Sequence, residues 1–146
     1  MNDKLNGLLE TYTYDGDGYH RGIEFESWTV AVLNWAERFD KIEKLERHNL
    51  TDEVFILVEG EATLILGEEM TLVPMEKNKM YNVKAGAWHN VKVSRDCKII
   101  IVENANTSRD NSEYLPLSVI LRSKQNASRP DYDRKKQNGS VRFQDR

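Results

Sequence analysis

The chain has 146 residues (17.0 kDa) and 39% of them are hydrophobic, which suits one domain around a single core. Its formal net charge of −3 gives no overall basic bias of the kind that marks a nucleic-acid binder. The single cysteine, Cys97, excludes an internal disulfide. There is no stretch near the ~20 apolar residues of a membrane helix and no basic segment leading into an apolar one at the amino terminus, so a soluble cytoplasmic protein with no membrane partner is expected.

Residues 1–20 are polar, with Tyr12, Tyr14 and Tyr19 set around the turn signal Asp15-Gly16-Asp17-Gly18. The alternating tyrosines predict a short edge strand in an otherwise irregular segment, and His20 reads as a surface residue rather than a ligand. From Trp28 to Trp35 the chain is rich in β-branched and aromatic residues, as in a strand buried on both faces. Phe39–His48 has near-helical spacing of Phe39, Ile42 and Leu45, but an extended path closes the flanking strands more easily and is preferred. Glu53–Val58 and Ala62–Leu66 form a hairpin about Glu59-Gly60-Glu61. Short strands follow over Met70–Val73, Lys79–Val83, His89–Val93 and Cys97–Glu103, with Cys97 read as a strand residue and not a nucleophile. Turns every eight to twelve residues are the pattern of an all-β sandwich or barrel. Leu115–Leu121 reads as a final strand or packed segment. Residues 122–146 hold eight Lys or Arg against three Asp, a surplus of +5 that leaves −8 on the rest. This basic tail is expected to be solvated or to lie on a partner subunit, with Val141 and Phe143 able to form a late strand.

Strand parity supplies the functional candidates. Side chains at i and i+2 share a face, so Glu46 and His48 point one way with Lys44 behind them. Glu53, Phe55 and Leu57 share a face in the next strand, and His89, Val91 and Val93 in a later one. If those faces look into one barrel, Glu46, His48, Glu53 and His89 converge at one end while Phe55 and Val91 fill the interior beside it. Two imidazoles with one or two carboxylates suit a divalent Mn, Fe, Co, Ni or Zn ion better than Ca or Mg. Glu46 fits either a fourth ligand or a general base beside the ion. Lys44 is a candidate partner for an anion, Tyr81 and Met80 are candidates for the pocket wall, and Glu103, Asn104 and Asn106 are candidates for its rim. Trp28, Trp35 and Trp88 read as core or interface aromatics.

The spacing His48, four residues, Glu53, six residues, Gly60 resembles the second half of the first cupin motif. Lys84-Ala85-Gly86-Ala87-Trp88-His89 is similar to the second motif, with Lys84 where a proline is usual. The resemblance covers roughly residues 40–105. It implies a double-stranded β-helix (the cupin jelly roll), with one domain over residues 1–121, a barrel core at about 28–105 and the tail 122–146 outside it. Carried over residue by residue, it implies His48, Glu53 and His89 as metal ligands, with Glu46 standing where the family has its first histidine.

Two functions remain open on these grounds. One is a small metal-dependent enzyme acting on a compact polar metabolite, such as a sugar derivative, a keto acid or a ureido compound, by isomerase, lyase or dioxygenase chemistry. The other is a non-catalytic cupin that binds a small ligand or serves a structural role. A homodimer is expected, because jelly-roll edges need covering and Trp28–Trp35 is apolar on both faces.

Overall fold

A computed structural model of the chain describes residue 5 and residues 7–128. Ten strands and one helix follow in order: β1 (Tyr19–Phe25), β2 (Trp28–Asn34), β3 (Lys44–His48), β4 (Glu53–Glu59), β5 (Ala62–Leu66), β6 (Thr71–Pro74), β7 (Met80–Val83), β8 (His89–Val93), β9 (Lys98–Asn104), β10 (Ser112–Pro116) and α1 (Leu117–Ala127). They build two five-stranded antiparallel sheets, ordered β1-β2-β9-β4-β7 and β10-β3-β8-β5-β6. None of the described helices is long and apolar enough to cross a membrane.

The space between the sheets is filled by the residues that alternation aims inward. Leu33, Phe55, Leu57, Leu64, Val91, Val93, Ile99 and Ile101 are all buried in one cluster. Each such side chain contributes about 1.5–3 kcal/mol of transfer free energy when fully buried, so these strands hold the sheets face to face. The hairpin between β4 and β5 depends on Gly60, which has φ +73°. A Cβ there would stand 2.8 Å from the Cα of Cys97 and 2.7 Å from the Ser94 hydroxyl. Cys97 itself is buried just before β9, and burial pushes its thiol up to about 12, which leaves no thiolate for chemistry.

Several local expectations are corrected. Tyr12 and Tyr14 are not in a strand, because the turn ahead of β1 is pinned by side chains. Asn34 Nδ2 donates to the carbonyls of Tyr14 (2.9 Å) and Gly16 (2.8 Å). The edge strand starts at Tyr19 instead. His20 is exposed, as expected, and its ring stacks on Tyr14. Trp28 is 41% exposed, so β2 is covered on both faces only further along. The Phe39–His48 segment becomes extended only at Lys44. Before it, Glu37–Phe39 makes a 3-10 turn that drops Phe39 into the core. Leu115–Leu121 is split: Pro116 ends β10, and α1 begins at Leu117 and runs through the 121/122 boundary to Ala127. Ile120 is its buried residue. The remainder of the basic tail, with Val141 and Phe143, lies outside the described residues.

The second sheet is loosely joined at one place. β3 and β8 share a single paired position, Glu46 opposite His89, whereas β5 and β8 are paired over five. Beside that position Asn90 Nδ2 donates to the Lys44 carbonyl (2.8 Å), holding the two strands together where the ladder gives out. The cleft described next opens along this seam.

Candidate metal centre

Each polar residue of the centre sits at the first inward position of its strand, or close to it. His48 ends β3, Glu53 begins β4, His89 begins β8, and Glu103 lies one residue before the end of β9. Antiparallel pairing sends these ends to the same side. They meet in a cleft of about 280 Å³, floored by Leu33, Phe55, Val91 and Ile101 and walled by Tyr19, Arg21, Arg38, Glu46, Arg109, Ser112 and Tyr114. Three of the candidate ligands are deeply buried: Glu53 is 5% exposed, His89 2% and Glu103 6%.

Two backbone ties set this geometry. The amide of Gly86 donates to the carbonyl of His48 (2.8 Å), locking the loop that precedes His89 against the strand that carries the other imidazole. Asp52, next to Glu53, grips the same loop from the other side. Its carboxylate accepts from Ala85 N (2.8 Å), Lys84 Nζ (2.6 Å) and Asn82 Nδ2 (3.0 Å). The Lys84 ammonium and these amides hold the Asp52 carboxyl down at about 2.

The imidazoles are fixed in one tautomer by what their far nitrogens touch. His89 Nδ1 is 2.9 Å from the carbonyl oxygen of Ala87, which can only accept, so Nδ1 carries the proton. His48 Nδ1 is 2.8 Å from Ser112 Oγ, and that hydroxyl already donates its hydrogen to Ser108 O (2.7 Å). His48 Nδ1 is therefore a donor as well. Both rings turn Nε2 towards one carboxylate oxygen: Glu53 Oε2 lies 2.9 Å from His89 Nε2 and 3.2 Å from His48 Nε2.

Three lone-pair atoms at such spacing repel unless something positive sits among them. Protons serve in the bare protein. Burial opposes a charge on either ring, but the Glu53 hydrogen bond and charge outweigh it and raise both histidines. Burial likewise pushes Glu53 upward, and the two imidazole hydrogen bonds overcome it and hold the carboxyl at about 2. A divalent cation serves the same purpose. Neighbouring donors at right angles around an ion with bonds of about 2.1 Å stand about 3 Å apart. Imidazoles that present Nε2 while donating Nδ1–H to a carbonyl or hydroxyl have the usual outer support of a metal ligand. The donor set fits the ion.

Two overlapping groups can hold it. Glu46, His48 and His89 offer ligand atoms within 4.8 Å of one another, and so do His48, Glu53 and Glu103. Glu46 is half-buried and has no hydrogen bond or ion pair among the described residues. Glu103 receives the Tyr19 hydroxyl on Oε1 (2.5 Å), while its Oε2 is buried without a partner. Burial and the nearby charge of Glu53 raise the Glu103 carboxyl, against the pull of Tyr19.

No protein-family model matches the chain, and no curated protein matches it in sequence. Solved structures do. The fold is similar to that of Pac13, described as a unique nucleoside dehydratase built on a β-barrel, with TM-score 0.56 and 10% identity over 75% of this chain and 92% of that one. A single-residue variant of Streptomyces Pac13 with uridine gives TM-score 0.55 and 9% identity over 74% of this chain and 93% of that one. A cupin-2 domain containing protein from Shewanella frigidimarina matches at TM-score 0.47 and 21% identity over 70% of this chain and 90% of that one.

The fold is the cupin barrel.

Within this cupin cleft Glu46, His48, Glu53, His89, Phe55, Val91 and Glu103 come together. Two candidates do not join them. Lys44 shares the inward parity of Glu46 but lies beyond the end of the cleft, where its ammonium sits 4.2 Å over the Tyr114 ring. Tyr81 faces a separate apolar recess with Leu64, Val73 and Trp88, and its hydroxyl accepts from Glu76 N (2.8 Å). β7 is the outer strand of its sheet, so its side chains reach a different opening. Met80 is 75% exposed and lines nothing. Sequence reasoning missed Tyr19, Arg21, Arg38, Arg109 and Ser112. All come from segments that look like ordinary loop or edge strand, and no motif spacing marks them.

Proposed function

We propose that this protein is a metal-dependent cupin enzyme that acts on a small polar metabolite through Lewis-acid and proton-transfer chemistry. The observation that carries the reading is the pair of imidazoles, both with Nδ1 occupied, aiming Nε2 at one Glu53 oxygen at the buried end of a cleft. His48, His89 and Glu53 would hold the ion, with Glu46 as a fourth ligand. Such a Mn, Fe, Co, Ni or Zn ion would supply Lewis-acid polarisation of a substrate oxygen. The chain's own residues do the rest. Phe55, Val91 and Ile101 exclude water from the floor, Ser112 and the Ala87 carbonyl fix the rings, and Glu103, the carboxylate left off the ion, accepts or returns the proton. The similarity in fold to Pac13, described as a nucleoside dehydratase, is compatible with a compact hydroxylated substrate.

A second reading has one observation behind it: the 2.9 and 3.2 Å contacts also close as a proton-held Glu–His–His ion pair. This fits a non-catalytic cupin that binds a ligand or keeps its shape through that cluster. Elemental analysis of protein purified without chelator separates the two. The enzyme reading expects near-stoichiometric transition metal, lost in His89→Ala and reduced in Glu46→Gln. Wild-type protein that takes up no metal when dialysed against Mn, Fe, Co, Ni and Zn at neutral pH would contradict it.

The reading includes a homodimer in the cytoplasm. The exposed Phe25–Trp28 pair (ring centroids 6.1 Å apart) at the tip of the β1–β2 hairpin supplies an apolar edge for it. Light scattering at micromolar concentration checks the mass, and a monomer there counts against the dimer.

A further inference from the structure

The cleft carries charges and an acceptor that an ion alone leaves unused. Glu103 Oε2 is buried and unpartnered, on a side chain that is 4% exposed. An acceptor in that position is costly unless a donor reaches it. Its companion oxygen is already taken by Tyr19, and Arg21, the nearest cation, is committed to the loop beyond β9. The Arg21 guanidinium donates to the carbonyls of Ala105 (2.8 Å) and Thr107 (2.6 Å) and stands 3.9 Å from Glu103 Oε1. With the ion on His48, Glu53, His89 and Glu46, as proposed above, this oxygen is left for a donor on a molecule in the cleft.

At the mouth stand two further arginines. Arg38 projects from the 3-10 turn between β2 and β3, and Arg109 from the one between β9 and β10. Both line the cleft, and neither has a carboxylate partner among the described residues. With a divalent ion in place, Glu46 and Glu53 offset its charge and Arg21 stands beside Glu103. Arg38 and Arg109 are the surplus. Planar guanidinium groups of this kind match a carboxylate. A phosphate site usually adds backbone N–H groups, and two of those beside Arg109 are engaged: Ser108 N donates to Asn111 Oδ1 (3.0 Å) and Asp110 N to Ser108 Oγ (3.3 Å).

We propose that the cleft takes a small hydroxy acid, with its carboxylate on Arg38 and Arg109 and its hydroxyl donating to Glu103 Oε2. The inference rests on the metal-site reading for its charge balance and narrows the substrate class of that site. A volume of about 280 Å³ accommodates a guest of that size.

Calorimetric titration of the metal-loaded full-length chain with L-lactate, lactamide, propionate and inorganic phosphate tests it. Lactate is expected to bind at least tenfold more tightly than lactamide, which lacks the charge, and than propionate, which lacks the hydroxyl. The double variant Arg38→Met/Arg109→Met, changed only at exposed positions, should bring lactate down to the level of lactamide with metal content unchanged. Arg38→Lys should keep part of the difference. Equal binding of lactate and lactamide, or no effect of the arginine changes, overturns the proposal. Tighter arginine-dependent binding of phosphate than of lactate overturns the carboxylate. If the protein takes up no metal yet still prefers lactate through the two arginines, the metal reading fails and this one stands. If metal binds and lactate has no preference, only this inference fails.

Discussion

The same strands build both the core and the centre, and the difference between their two ends shows how. Read inward from the cleft, β4 runs Glu53, Phe55, Leu57; β8 runs His89, Val91, Val93; and β9 runs Glu103, Ile101, Ile99. In each, one buried polar residue facing the cleft is followed by apolar ones, so the framework that packs the sheets also sets the positions of the candidate ligands. β3 differs. Its inward positions are His48, Glu46 and Lys44, without an apolar side chain among them, and it pairs with β8 at only one position. The barrel is therefore closed and dry where three strands turn from polar to apolar, and open along β3, where that change never comes.

Breaking the dry end gives the largest effect on folding. Leu57→Ala removes a buried side chain 1% exposed and should cost about 2–5 kcal/mol in urea unfolding, while any folded fraction keeps its metal. His89→Ala should do the reverse. Metal affinity falls by roughly 100-fold or more, beyond the range of outer-shell changes, as read by competition with a chelating dye. Ser112→Ala, which frees His48 Nδ1 without touching a ligand, should lower metal affinity by about 10–100-fold.

Acid and base sharpen the contrast. Both histidines are raised above their ordinary values in the folded bare protein by Glu53, so the stability they supply is fully present below the unfolded imidazole value and is lost as pH rises through the folded one. Glu53 is depressed, so its contribution is present above the unfolded carboxyl value and disappears as pH falls through about 2. Metal-free protein should thus melt highest on the acid side of neutrality and lose stability towards alkaline pH, and added metal should restore it there. A flat melting temperature between pH 5 and pH 9, roughly the imidazole range, in the bare protein would count against the cluster. The smallest effect concerns the exposed Asp52 clasp. Asp52→Asn should leave the fold intact at neutral pH and flatten the acid limb of the stability profile between about 4 and about 2, because the charge that holds Ala85 and Lys84 is gone.

Much of the centre was legible in the chain because strand parity and motif spacing act over short distances. His48 and Glu53 are five residues apart and flank one turn, so the offset that brings them together is visible in the sequence. His89 was reachable through its own loop pattern. What could not be read depends on which strands become neighbours. Lys44 has the same parity as Glu46, yet its strand runs out past the end of the cleft and Tyr114 of β10 takes its ammonium. Tyr81 sits near the second motif in sequence, but β7 falls at the far edge of the other sheet. Tyr19, Arg21 and Ser112 enter only because β1 and β10 cover opposite edges of the mouth. The helix after Pro116 was hidden for another reason: Leu117–Leu121 is a short apolar run, and periodicity alone does not separate strand from helix at that length.

The most direct measurement is anomalous diffraction from a crystal soaked in a transition-metal salt. The account predicts one ordered peak at about 2.0–2.2 Å from Nε2 of both His48 and His89, with a Glu53 oxygen at a similar distance. A cleft without a peak, with the two imidazoles still paired to Glu53 while metal collects on surface carboxylates, would contradict it.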